Sequence, residues 1–253
     1  MAATTVSVGV AVRTLLIVLM CLMIAALVYV IKIGGLASFF DFRARWAIGL
    51  LADFSINVVV IGAWCFYKDL SWIKTLVLVV LIFAVGSVAT CGYILVQFYK
   101  LSPEEFSNEP LYFVLVRNQK RDVDEHTKGI SVVTAKVIFS ALGCLMLAAL
   151  IYTVIVDLSH SYAEGFAPCL STFLTDIYIH AVIFSVWIAY KESSWINALL
   201  WILSLLCLGN IIICIYIVQQ LSYIAPEQPV SLIIFKHNSN RDLQSSDPLL
   251  TGA

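Results

Sequence analysis

Charge is what this chain has little of. Only 12% of its 253 residues are Asp, Glu, Lys or Arg, about half of what the shell of a soluble domain needs. Hydrophobic residues make up 61% and the mean hydropathy is +0.96, so most side chains must face something other than water. Lipid is the solvent that fits. A net charge of −1 leaves no basic footprint for nucleic acid. The seven cysteines form no CxxC, are odd in number and lie in or beside apolar runs. They read as small hydrophobes, not as a disulfide framework or metal cluster. No N-x-S/T sequon occurs. GxSxG, HExxH, a histidine box and a phosphate-binding glycine loop are also missing, so no catalytic residue, metal or cofactor is expected.

Long uncharged stretches are what the chain does have. Residues 14–31, 75–99, 137–156 and 196–225 carry no Asp, Glu, Lys or Arg, and about 20 apolar residues cross a bilayer as a helix. Residues 46–67 and 165–190 are each interrupted by one acid, Asp53 and Asp176. The expectation is an all-α integral membrane protein with six spans near 13–33, 46–67, 72–98, 133–156, 169–190 and 195–219. The first span is too long for a signal peptide and lacks a small-residue cleavage site. "FFDFRAR" at 39–45 reads as an interfacial turn.

One phrase occurs twice. "CLMIAALVYVI" at 21–31 and "CLMLAALIYTV" at 144–154 are 123 residues apart and share seven of eleven positions. The same offset pairs Asp53 with Asp176, Trp64 with Trp187, "YKDLSWI" at 67–73 with "YKESSWI" at 190–196, Gly86 with Gly209 and Tyr93 with Tyr216. Apolar segments resemble one another by chance, but Asp, Trp, Lys, Gly and Tyr in one register do not. The chain therefore reads as two three-helix units, 1–130 (with a polar central loop) and 131–242, followed by a disordered tail at 243–253. Three spans per unit imply inverted halves. On that count five Lys and Arg lie on the side of the termini and ten on the side of the central loop, which points the central loop to the cytosol.

Asp53, Asn57, Trp64, Tyr67 and Lys68 fall on one stripe of a helix, at about 100° per residue. Asp176, His180, Trp187, Tyr190 and Lys191 repeat it. A carboxylate within a span is costly unless it faces the bundle or a wet cavity, and an imidazole changes charge near neutral pH. Asp53, Asn57, Asp176, His180 and Asn210 are therefore candidates for a polar pathway between spans two and five. The plainer reading makes them interhelical hydrogen-bond clasps. The i,i+4 pair Asp176/His180 could present two metal ligands, as in cation-diffusion-facilitator exporters. Its counterpart ends in Asn57, a poor zinc ligand, and His126, His160 and His237 form no histidine-rich loop, so no metal is expected. Trp64, Trp72, Trp187 and Trp195, with Tyr67, Tyr190, Lys68 and Lys191, read as interfacial anchors, the lysines snorkelling to the surface. Gly86 and Gly209 allow close helix approach or bending. Gln97 and Gln220, near helix ends, read as solvated.

The duplicated "D…W..YK[DE].SWI", followed by a glycine in the next span, resembles a plant membrane-protein family catalogued as a domain of unknown function. The resemblance covers nearly the whole chain and implies the multi-span topology and a plant source, but no chemistry. The expected function is a small proton- or cation-coupled transporter of an endomembrane or the plasma membrane. Its partners are the lipid bilayer, a small solute or ion, and a second copy or another membrane protein. The rival expectation is a non-transporting scaffold or partner-binding subunit.

Overall fold

A computed structural model of the chain describes residues 2–34, 47–69, 71–115, 131–158, 168–225 and 230. The turn read at 39–45, the tail at 243–253 and the histidines at 126, 160 and 237 lie outside the described residues. Within them every regular element is helical: α1 (Ala2–Gly34), α2 (Ala47–Asp69), α3 (Trp72–Val85), α4 (Ser87–Tyr99), α5 (Pro103–Asn108), α6 (Pro110–Leu115), α7 (Val132–Leu158), α8 (Pro168–Lys191), α9 (Trp195–Leu208) and α10 (Asn210–Ser222). Their ends follow from local chemistry. Ser71 accepts from the Lys74 N–H to open α3. Ser102 and Glu105 form a reciprocal capping box at α5, with Pro103 in its first turn, which satisfies N–H groups that the helix cannot.

Four helices are long and apolar enough to cross a membrane: Val6–Ile33, Gly49–Asp69, Val132–Ile155 and Leu170–Lys191. The expected third and sixth spans are each divided at one glycine, into α3 and α4 and into α9 and α10. Gly86 has φ 62° and ψ −141°, and Gly209 has φ 64° and ψ −149°. Only glycine reaches that region without strain.

The packing falls into two compact units, one of residues 1–118 and 144–181, the other of 119–143 and 182–253. In the first, the Tyr93 hydroxyl donates to Asp69 Oδ2 at 2.9 Å. On a straight helix running from Trp72, Tyr93 would lie about 30 Å away, beyond any side chain. So α4 doubles back beside α3. In the second unit the rings of Trp201 and Tyr216 are 5.1 Å apart, where a straight helix would separate the two residues by about 22 Å. So α10 doubles back as well. These are helical hairpins, and the expected continuous helices over 72–98 and 195–219 are corrected accordingly. Hydropathy records how apolar a run is, not whether it turns round.

Gly9, near the start of α1, abuts Phe106 and Pro110, and the Arg13 guanidinium lies 4.4 Å from the Tyr99 ring centroid and 5.4 Å from that of Phe106. The beginning of α1 therefore packs against the end of α4 and the beginning of the central polar segment.

Within the hairpins the outer and inner helices differ. On α3, Leu76, Val77, Val80, Leu81 and Phe83 are exposed, whereas α4 buries Thr90, Cys91, Ile94, Leu95 and Phe98. Likewise α9 exposes Leu199, Leu200 and Leu203 while α10 buries Ile211 to Cys214, Tyr216 and Ile217. Lipid is as apolar as leucine, so close van der Waals contact has to hold such helices together, and small residues permit it. Gly62 lets α2 approach Val79 of α3, Gly49 lets Thr153 of α7 approach α2, and Gly143 meets Cys214.

Candidate functional site

A helix that starts in a buried, apolar setting has first-turn N–H groups with neither a carbonyl nor water to bond. The N-cap position of α4 is Gly86, which has no side chain to offer. Asp176 of α8 supplies the missing acceptor: its Oδ1 takes the Ser87 N–H at 2.5 Å. A Cβ at Gly86 would run into that carboxylate and into Met23 of α1. Glycine is thus required here twice, for its φ and for the space.

One turn along α8 lies His180, fully buried. Its Nδ1 sits 3.0 Å from the Asp176 carbonyl oxygen and 3.3 Å from Asp176 Oδ2, both acceptors, which assigns a proton to that nitrogen. Its Nε2 lies 3.0 Å from Thr90 Oγ1. The Thr90 hydroxyl donates to Nε2 when the imidazole is neutral and accepts from it when the imidazole is charged. The pairs Ser87–Asp176 and Thr90–His180 run in step, so this part of α8 lies beside α4 in the same direction. Ser87 and Thr90 are completely buried, and Ser87 Oγ has no hydrogen-bond partner among the described residues. Thr172, a turn before Asp176, donates to the Ala26 carbonyl at 3.4 Å and ties α8 to α1.

The structure brings Asp176 and His180 together with Ser87 and Thr90. Asp53 and Asn57 are buried one turn apart on α2, and Asn210 is buried at the first turn of α10. Neither Thr90 nor Ser87 is among the candidates named from the sequence. A signal existed in "GSVAT", which puts two hydroxyls three residues apart, on one face, straight after a glycine.

The expected anchors divide. Trp72 and Trp195 are 67% and 74% exposed, at the starts of α3 and α9. Trp64 packs edge-on against Tyr93 at 5.4 Å, and Trp187 does the same with Tyr216 at 5.4 Å. Trp64 Nε1 also donates to the Leu115 carbonyl at 3.2 Å. Lys68 gives its ammonium to the carbonyls of Phe113 and Val114, so α2 side chains hold the last three carbonyls of α6, where a cation is favoured. Lys191 is buried, and Tyr67 and Tyr190 are half-buried. Gln97 is buried, not solvated, and Gln220 donates to Glu192 Oε1 at 3.3 Å. No group of three or more His, Cys, Asp or Glu suited to a metal occurs among the described residues.

A family profile described as "Protein of unknown function (DUF1475)" matches residues 1–241. The chain belongs to that family. No curated protein matches this DUF1475 chain, and no solved structure does. The family description names no activity, so chemistry must be argued from the buried Asp176–His180–Thr90 network itself.

Proposed function

We propose that this DUF1475 protein is a proton-coupled membrane carrier of a small solute or cation, in which Asp176 and His180 take up and pass on the proton. One observation carries the reading: both nitrogens of a fully buried imidazole face partners that serve it neutral or charged. Burying a charge, or an unpartnered polar group, is expensive in an apolar interior. Here the proton can come and go without orphaning either nitrogen. Asp53 and Asn57 on α2 extend the polar path in this proposal.

The architecture we infer is two tandem copies, each of two crossing helices and one re-entrant hairpin. Two crossings return the chain to the face from which it started, so both copies insert in the same sense. This replaces the inverted six-span arrangement, which requires α3 and α4 to run straight on. It also redistributes the charge. Of the 15 Lys and Arg, only Lys32, Arg43 and Arg45 follow a first crossing, and the other 15 − 3 = 12 lie on the side shared by the termini and the central loop. The positive-inside rule turns that side to the cytosol.

A second reading has its own support. Asp176 caps α4, which is what an interhelical clasp in a non-transporting scaffold would do. Asp176→Asn separates the two, because the amide oxygen still accepts from Ser87 while the side chain cannot ionise. The measurement is proton flux into liposomes under an imposed pH gradient, followed by an entrapped pH dye, beside the yield of monodisperse protein. The carrier reading expects Asp176→Asn to fold and lose flux, with His180→Asn, which copies the residue at 57, impaired as well. Wild-type flux that survives Asp176→Asn rejects the carrier and leaves the clasp.

A further inference from the structure

The carboxylate that faces His180 is also the one that holds the tip of a re-entrant helix. We propose that protonation of Asp176 frees the N-terminus of α4, so that the α3–α4 hairpin pivots at Gly86 as a proton-controlled gate. This rests on the reading above, that Asp176 exchanges protons, and adds to it how the site is regulated.

Three features support the device. The first is electrostatic. An ionised carboxylate at a helix N-terminus gains from the aligned peptide dipoles, and its hydrogen bond to the Ser87 N–H is charge-assisted. The neutral acid keeps a carbonyl oxygen but loses both advantages, in surroundings where water cannot replace them. The second is the freed proton's partner. A protonated Asp176 has a donor to place, and the buried Ser87 Oγ, which lacks a hydrogen-bond partner among the described residues, is on the residue whose N–H is being released. The third is the hinge. Gly86 joins an outer helix with an exposed apolar face to an inner, buried one, and its positive φ belongs to one residue alone between two regular helices.

The groups facing Asp176 set when the gate moves. On α8, His180 Nδ1 lies 3.3 Å from Oδ2. On α4, the buried Cys91 thiol is within electrostatic range. On α1, the side chain at the tip is the uncharged Met23. The tip is released when Asp176 is protonated, which ties hairpin movement to the occupancy of the proton site.

The test is hydrogen–deuterium exchange on the full-length protein in nanodiscs, read on peptides covering 84–95 and, as an internal reference, 207–218. Measurements are made at acidic and neutral pH and corrected for intrinsic exchange. The wild type is expected to exchange its 87–91 amides about tenfold faster at acidic pH, the scale of a lost helix-terminus charge interaction. Asp176→Asn is expected to exchange fast at both pH values, with the reference peptide unchanged and therefore the fold intact. Protection in the wild type that ignores pH, or Asp176→Asn as protected as the wild type at neutral pH, overturns the gate. Lost flux in Asp176→Asn together with pH-independent protection sinks the gate alone. Unchanged flux in Asp176→Asn sinks the carrier reading, whatever the exchange shows.

Discussion

The hairpins α3–α4 and α9–α10 are built alike, but the polar pair that follows the break is not the same. Each turns on one glycine of nearly identical φ and ψ. Each glycine N–H bonds four residues back, to Ile82 at 2.8 Å and to Leu205 at 2.9 Å, and each glycine carbonyl accepts from the third residue on at 3.1 Å. Each inner helix is latched to the end of the preceding long helix by a tyrosine on a carboxylate, Tyr93 on Asp69 at 2.9 Å and Tyr216 on Glu192 at 2.8 Å. Each latch tyrosine meets a tryptophan edge-on, at 83° and 87°. After the glycine, however, α4 carries Ser87 and Thr90 where α10 carries Asn210 and Ile213, and α8 carries His180 where α2 carries Asn57. Shared features account for how a hairpin is held. The features that differ, an imidazole and the hydroxyl it bonds, are where a specialised task belongs.

The comparison breaks most severely at the glycine. Gly86→Ala forces a β-carbon into a backbone region worth about 1–3 kcal/mol of strain and into the Asp176 carboxylate. A loss of most folded protein is expected, measured as monodisperse yield and melting temperature in detergent. Asp176→Ala comes next, because it leaves the buried Ser87 N–H orphaned, at a cost of about 1–3 kcal/mol. Asp176→Asn should recover only part of that, since an acceptor oxygen returns without its charge.

The latches sharpen the likeness. Tyr93→Phe and Tyr216→Phe should each cost about 1–2 kcal/mol, as losses of a hydrogen bond to a carboxylate do. Double-mutant cycles with Asp69→Asn and Glu192→Gln should return similar coupling energies. Couplings that differ severalfold would show that only one hairpin depends on its latch. The smallest expected effect sharpens the difference. Thr90→Val should cost about 1 kcal/mol but shift the pH profile of proton flux, because it removes the partner of His180 Nε2, whereas Ile213→Thr should leave the profile unmoved.

Four of the long helices were legible as uncharged or single-acid runs, and the stripe on α2 and α8 was legible from spacing, since a carboxylate amid leucines and valines must be sheltered. The hairpins were not. Residues 75–99 and 196–225 are unbroken apolar runs, and a lone glycine within such a run reads equally well as a packing notch. The clue lay in separation: Asp69 to Tyr93 and Glu192 to Tyr216 are each 24 residues, polar partners that a straight helix would never bring together. Thr90 escaped because a threonine in an apolar helix usually bonds its own backbone, as Thr75, Thr153 and Thr175 do here. Its partner comes from another helix.

The central claim is that α3 and α4 enter and leave by the same face. Labelling the protein in sealed, oriented vesicles with an impermeant maleimide tests it, using single cysteines placed before Ala2 and after Lys120 in a cysteine-free background. Re-entrant hairpins predict that both positions label from the same, cytosolic side. Labelling from opposite sides would mean that α3 and α4 cross the membrane as one span, and would contradict the account.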